Sequence, residues 1–160
     1  MDTRRRPQLH RGWNKALNFP VDADMMMLVF GSFGTPLSDP TEERQWRKLV
    51  HRGTNVRNRN PKVDPTCRVC KNAPESMLHL FQCEKLRPFW RECIAFCINV
   101  LKTTNPTNQL SAHIFGLWSR GKLGPVPARA LLRHAFNHLF RHFCYVDLKG
   151  YQFKWQKVGW

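Results

Sequence analysis

A mainly α fold is what this sequence predicts, and three observations carry the prediction. Apolar residues recur at spacings of three and four over residues 86–101, and again from Pro127 or Ala128 to about Val146, which is the helical period. A helix start is written at Asp39-Pro40-Thr41-Glu42: Asp39 can cap, Pro40 suits the first helical position and Glu42 completes a capping box. Between these segments, Cys67, Cys70, His79 and Cys83 crowd together in a spacing that joins a tight turn to a helix.

The 160 residues suffice for one ordinary domain or two very small ones. With 26 Lys+Arg against 11 Asp+Glu the net charge is +15, while 42% hydrophobic content is enough for a core and argues against a wholly disordered chain. The longest apolar run, residues 25–30, is far short of the roughly 20 residues that cross a bilayer, and too short for a signal-peptide core. An intracellular protein, nuclear or cytoplasmic, is therefore expected, with no membrane partner and no secretion. A chain this basic attracts polyanions, usually nucleic acid and less often an anionic membrane surface.

Taken in order, residues 1–24 show no apolar period, and Arg4, Arg5, Arg6, Arg11 and Lys15 make a basic arm. It is expected to be poorly ordered, either as a solvated terminus or as a phosphate-contacting arm. Residues 25–33 fit a buried strand or a short helix equally well. The helix from Asp39 should run to about Arg52 and stop at Gly53, with Trp46, Leu49 and Val50 on one side. Residues 54–65 read as a loop. From 44 to 62 there are seven cations, Arg44, Arg47, Lys48, Arg52, Arg57, Arg59 and Lys62, and no acid. Ser76 is placed to cap a helix carrying His79 and Cys83. Phe89, Cys93, Phe96, Cys97 and Val100 mark the helix at 86–101. A short helix is expected at 114–118 and a loop at 121–125. The last helix carries Leu132, Ala135, Phe136, Leu139 and Phe143 on one stripe. Residues 151–155 alternate apolar and polar, which predicts a short C-terminal strand. The expected organisation is a basic arm with a short apolar segment (1–38), a basic helix with the cysteine cluster (39–101), and a helical extension ending in a strand (102–160).

The cluster has the form C-x2-C-x8-H-x3-C. Two thiols at C-x-x-C close on one metal through a turn, and His79 and Cys83 at i and i+4 share one helix face. Three sulfurs and one imidazole suit Zn2+ in a tetrahedral site, and four protein ligands leave no open position, so the site is expected to be structural. The fold class is thus a small zinc-stabilised helical domain with additional helices and a strand. With no export signal, a disulfide framework is the weaker reading. Cys93 and Cys97 lie on an apolar stripe and are expected in the core. His134, His138 and His142 border the last stripe beside Arg133 and Arg141 and read as a polar edge, with no Asp or Glu expected near enough to complete a metal site.

With its flanks the cluster resembles the C-terminal zinc-binding domain of non-LTR (long-interspersed-element class) retrotransposon reverse transcriptases. The resemblance rests on a Trp-containing helix at 46–51, then Cys67-x-x-Cys70, the box Glu75-Ser76-Met77-Leu78-His79-Leu80-Phe81-Gln82-Cys83, and Trp90. It covers residues 41–92, about a third of the chain. It implies Cys67, Cys70, His79 and Cys83 as ligands, Leu80, Phe81 and Trp90 as packing around the metal, and the element's own RNA or DNA target as partner, with a polymerase domain as a further one. The polymerase's own Asp-Asp box is absent, and after Cys83 only Glu84, Glu92 and Asp147 remain, too few for a metal-dependent nuclease. No enzymatic activity is expected. The expected function is phosphate-backbone binding of RNA or DNA through the seven cations, with Trp46 either stacking on an unpaired base or packing on the zinc subdomain. The other readings are a structural or protein–protein interaction module, or an inactive retrotransposon-derived fragment.

Overall fold

The protein is described by a computed structural model, which covers residues 6–17, 20–34, 39–52, 56 and 61–149. Its elements are α1 (Arg6–Ala16), α2 (Ala23–Gly31), α3 (Pro40–Val50), α4 (His79–Gln82), α5 (Arg87–Asn99), α6 (Gln109–Phe115), β1 (Leu117–Ser119), β2 (Lys122–Leu123) and α7 (Val126–Lys149). The mainly α fold is as the sequence predicts. The strand expected at 151–155 lies outside the described residues.

The N-terminal segment departs from expectation. Residues 6–16 form a helix, although they carry no apolar period. Trp13 and Leu17, one turn apart, are buried in the core, and the Trp13 indole N–H donates to the Val50 carbonyl at 2.9 Å. A short helix with two such anchors draws its stability from tertiary burial, not from its own pattern. For residues 25–33 the choice falls to helix: Asp22 caps α2 by accepting from the Met25 amide at 2.8 Å, and Met25, Met26, Val29 and Phe30 are buried at helical spacing.

Asp39 caps α3 as expected, accepting from the Glu42 amide at 2.9 Å. The helix turns Glu42, Glu43, Trp46, Leu49 and Val50 inward. Trp46 is 1% exposed, and its indole N–H donates to the Ile114 carbonyl at 2.9 Å. It therefore packs on α6 and α7, not on the cysteine cluster, and its rings are unavailable for stacking on a base. Arg133 of α7, expected on a polar edge, is buried instead. Its guanidinium lies 3.7 Å from the Trp46 ring centroid and is ion-paired with Glu43.

The short helix expected at 114–118 forms earlier. Asn108 caps α6 by accepting from the Ser111 amide at 3.0 Å, and Gly116 ends it in the left-handed region with φ 74°. The chain then turns back through the antiparallel pair β1–β2. Gly124 closes this hairpin, and a Cβ there would stand 2.1 Å from Trp118 Cε3, so only glycine fits. Buried residues from all three sequence segments, Trp13, Trp46, Phe89 and Phe136 among them, belong to one core cluster.

The imidazole of His113 sits within this core, with no hydrogen-bond partner for either ring nitrogen among the described residues. Burial pushes its pKa down to about 3 from 6.5. It is neutral in the folded state, whereas the unfolded chain takes up a proton below 6.5. The stability this supplies is complete above pH 6.5 and is lost as pH falls towards 3. Between pH 7 and pH 5, His113→Leu should therefore lose less stability in urea melts than wild type, by about 2 kcal/mol. Parallel losses in both proteins would refute this.

The buried ion pair is sensitive to loss of either partner. Glu43→Ala strands the Arg133 guanidinium and should cost about 3–5 kcal/mol, while Glu43→Leu combined with Arg133→Met should recover most of it. A single-variant cost under about 1 kcal/mol would mean that the pair is solvated.

Candidate metal centre

Four donors converge as the spacing predicts. One ligand atom each from Cys67, Cys70, His79 and Cys83 lies within 4.8 Å of every other, and this is the one such group among the described residues. The Cys70 sulfur is 3.3 Å from His79 Nε2.

The first two donors come from a tight turn. The Cys67 amide donates to the Ala73 carbonyl at 2.8 Å, the Lys71 amide to the Cys67 carbonyl at 3.0 Å, and the Glu75 amide to the Pro65 carbonyl at 2.7 Å. Lys71 takes the left-handed conformation with φ 59°, which lets the chain curl round the sulfurs. The Val69 amide points at Cys67 Sγ and the Asn72 amide at Cys70 Sγ, both at 3.4 Å. Such N–H···S contacts favour a thiolate over a thiol. Burial alone would raise Cys70, but the Asn72 amide and hydrogen bonding with the Cys67 and Cys83 thiols outweigh it, and its pKa falls below the ordinary value.

The other two donors are the first residue of α4, His79, and the residue that ends it, Cys83. The Ser76 hydroxyl accepts from the His79 amide at 3.0 Å, starting the turn as expected. The helix spans four residues only, yet the Cys83 amide still donates to the His79 carbonyl at 2.7 Å, which keeps both ligands on one face. Burial lowers the His79 pKa, opposed by the charge of Glu75. A neutral imidazole at neutral pH is the form that binds metal. Burial pushes the metal-free Cys83 thiol up to about 12. A metal must displace that proton, so affinity weakens in acid.

Leu80 and Phe81, between the two ligands, are buried. The Trp90 indole N–H donates to the Leu80 carbonyl at 2.8 Å, and the Phe81 and Trp90 rings lie 5.0 Å apart. An ion pair that the sequence did not signal braces the turn. Arg68, inside the C-x-x-C, donates through Nε to Glu75 at 3.0 Å and through Nη2 at 2.7 Å, and Glu75 is fully buried. Seven positions separate them, and no helix or strand spans residues 68–75 to set them on one face, so the folded turn brings them together.

The remaining site candidates divide. Cys93 and Cys97 are buried in the core as expected, and burial raises their thiols to about 12 and 11. His134 and His138 have ring centroids 6.3 Å apart, and the side chain of His142 lies outside the described residues. The expectation that no carboxylate would stand near this ladder fails, because Glu42 of α3 pairs with His134 across the helix interface. Of the seven cations, Arg44, Arg47 and Lys48 are exposed on α3, and Lys62 is exposed in the loop before Cys67. Arg52 is half-buried, its guanidinium 5.5 Å from the Trp13 ring centroid. Arg57 and Arg59 lie outside the described residues. No helix among the described residues is long and apolar enough to cross a membrane.

Comparison of the chain with protein-family models, curated proteins and solved structures finds no match.

Cys83→Ser should abolish stoichiometric metal binding, whereas Cys93→Ala should leave it at one ion per chain, as read by native mass spectrometry. Glu75→Ala should weaken metal retention against a chelator about tenfold, because the Arg68 brace then loses its partner. Retention equal to wild type would make the Arg68–Glu75 pair irrelevant to the turn.

Proposed function

We propose that this protein is a zinc-stabilised module that binds nucleic acid through its phosphate backbone. The zinc is structural. Three thiolates and one imidazole complete a tetrahedron around it and leave no position for substrate. Its work is to lock the turn at 67–75 onto α4, and no reaction is assigned to the chain.

One observation carries the nucleic-acid reading. Both acids of α3, Glu42 and Glu43, are turned into the protein, where they meet His134 and Arg133. The cations of the same helix, Arg44, Arg47 and Lys48, stay outside. The exposed face of α3 is therefore positive with no carboxylate of its own, in a chain with net charge +15. Such a face neutralises phosphates and releases their counterions, giving salt-dependent binding with little sequence preference. The resemblance to the tail of a retrotransposon reverse transcriptase makes the RNA or DNA target of such an element the natural partner, beside a polymerase domain.

The test is fluorescence anisotropy with a duplex at several salt concentrations, using zinc-loaded full-length protein. Arg44→Gln/Arg47→Gln/Lys48→Gln should reduce the slope of log affinity against log salt by up to about 3, since each neutralised phosphate contributes about 0.9. Unchanged slopes would remove α3 from the contact surface. The identity of the metal is read separately, from the mass of the native protein and its release by a chelator.

A further inference from the structure

The sequence leaves Trp46 either stacking on a base or packing on the zinc subdomain, and the fold buries it elsewhere, against α6 and α7. The aromatic ring standing over it is Phe33, just beyond the C-terminus of α2. Its centroid is 5.0 Å from that of Trp46, edge to face at 81°. Phe33 is half-buried, as is His51 at the C-terminus of α3. The two rings stack at 6.2 Å and 28°, and His51 also lies 5.4 Å from the Phe30 ring. The exposed Arg47 places its guanidinium 4.9 Å from the Phe33 centroid. Two helix ends thus build one shelf of flat groups.

We propose that the shelf formed by Phe33, His51 and the guanidinium of Arg47 holds one unpaired base of a single-stranded nucleic acid. The inference rests on the nucleic-acid reading above and sharpens it to a strand class. A shelf of flat groups offers a base the stacking surface that single-strand binders use, and a guanidinium plane serves as well as a ring. The shelf is fixed in place, because Phe33 leans on buried Trp46 and the His51 ring nitrogen Nδ1 lies 2.8 Å from the Arg47 carbonyl. Positive charge surrounds it. Arg47 belongs to the cationic face of α3, and Arg52 follows His51 directly. The Arg52 guanidinium lies so close to Gly12 that a Cβ there would approach within 2.6 Å, which brings exposed Arg11 and Lys15 of α1 to the same end of α3. In a duplex each base is already covered by its neighbours, so only an unpaired base can lie on such a shelf.

The experiment compares a single strand of about a dozen nucleotides carrying a central 2-aminopurine with the same strand in a duplex, both titrated with zinc-loaded full-length protein. Phe33→Leu keeps an apolar side chain against Trp46 but removes the stacking face. His51→Ala removes the second ring without touching Trp46 and decides the question if the first variant fails to fold. Either variant should bind the single strand about tenfold more weakly and lose the 2-aminopurine quench, with duplex affinity and its salt slope unchanged. Wild-type quenching and single-strand affinity in a variant of unchanged metal content would overturn the stacking site and leave backbone binding standing. Equal weakening on single strand and duplex would do the same. Failure of the wild type to bind either nucleic acid at low salt would end both readings.

Discussion

The contact between α3 and α7 sets the rest of the protein in place. Glu43, Trp46 and Arg133 form a buried sandwich in which the guanidinium covers the indole and pairs with the carboxylate. Burial pushes the Arg133 pKa down and the charge of Glu43 holds it up. Each charge is tolerable inside only because the other is there, which makes the contact sensitive to its partners. The same contact decides which way α3 faces. With Glu42 and Glu43 drawn to α7, the cations of the helix have only the outside left. One packing arrangement thus creates both the core and the charged surface.

The cysteine cluster is attached to this core through Phe81. Its ring stacks on Phe136 of α7 at 5.6 Å and on His113 of α6 at 6.0 Å, and it touches Trp90. Phe81 lies between two metal-ligand residues in the chain. A metal that fixes α4 therefore also fixes a side chain reaching into the helical core, and loss of the metal would be felt there. His113, neutral and without a hydrogen-bond partner among the described residues, is tolerated at this junction because it packs as an aromatic ring against Phe81 and Trp90.

What the sequence revealed was whatever depends on neighbours in the chain. The caps at Asp39 and Ser76 and the four donors at Cys67, Cys70, His79 and Cys83 are local patterns, and they are found. The apolar stripes hold in part: Leu132, Ala135, Phe136 and Leu139 of α7 are buried, whereas α5 buries Phe89, Cys93 and Cys97 together with Trp90 and Ile94 and leaves Phe96 and Val100, expected on its stripe, exposed. Long-range pairing was hidden. Trp13 in α1 is isolated among polar and basic residues, and its burial depends on Val50 and Phe115, far along the chain. Arg133 looked like one more surface cation because its partner Glu43 is ninety positions away. The small hairpin is hidden because β1 and β2 are too short to show alternation, and its turn, where Gly121 takes φ 72°, falls at the edge of the segment that reads as a loop.

The position of Trp46 shows how long-range packing bears on function. In the sequence, the basic run around Trp46 leaves its ring two places, on an unpaired base or against the zinc subdomain. Yet a large ring on the same helix side as Leu49 and Val50 is drawn inward by the area it removes from water, about 25 cal/mol for each Å². The residues left at the surface near it are then those whose positions in α2 and α3 do not point at α7. Phe33 follows the end of α2 and His51 follows the end of α3, so neither is committed to a helix face. Ends of helices, more than their faces, are where this fold can present flat groups to a ligand without giving up core.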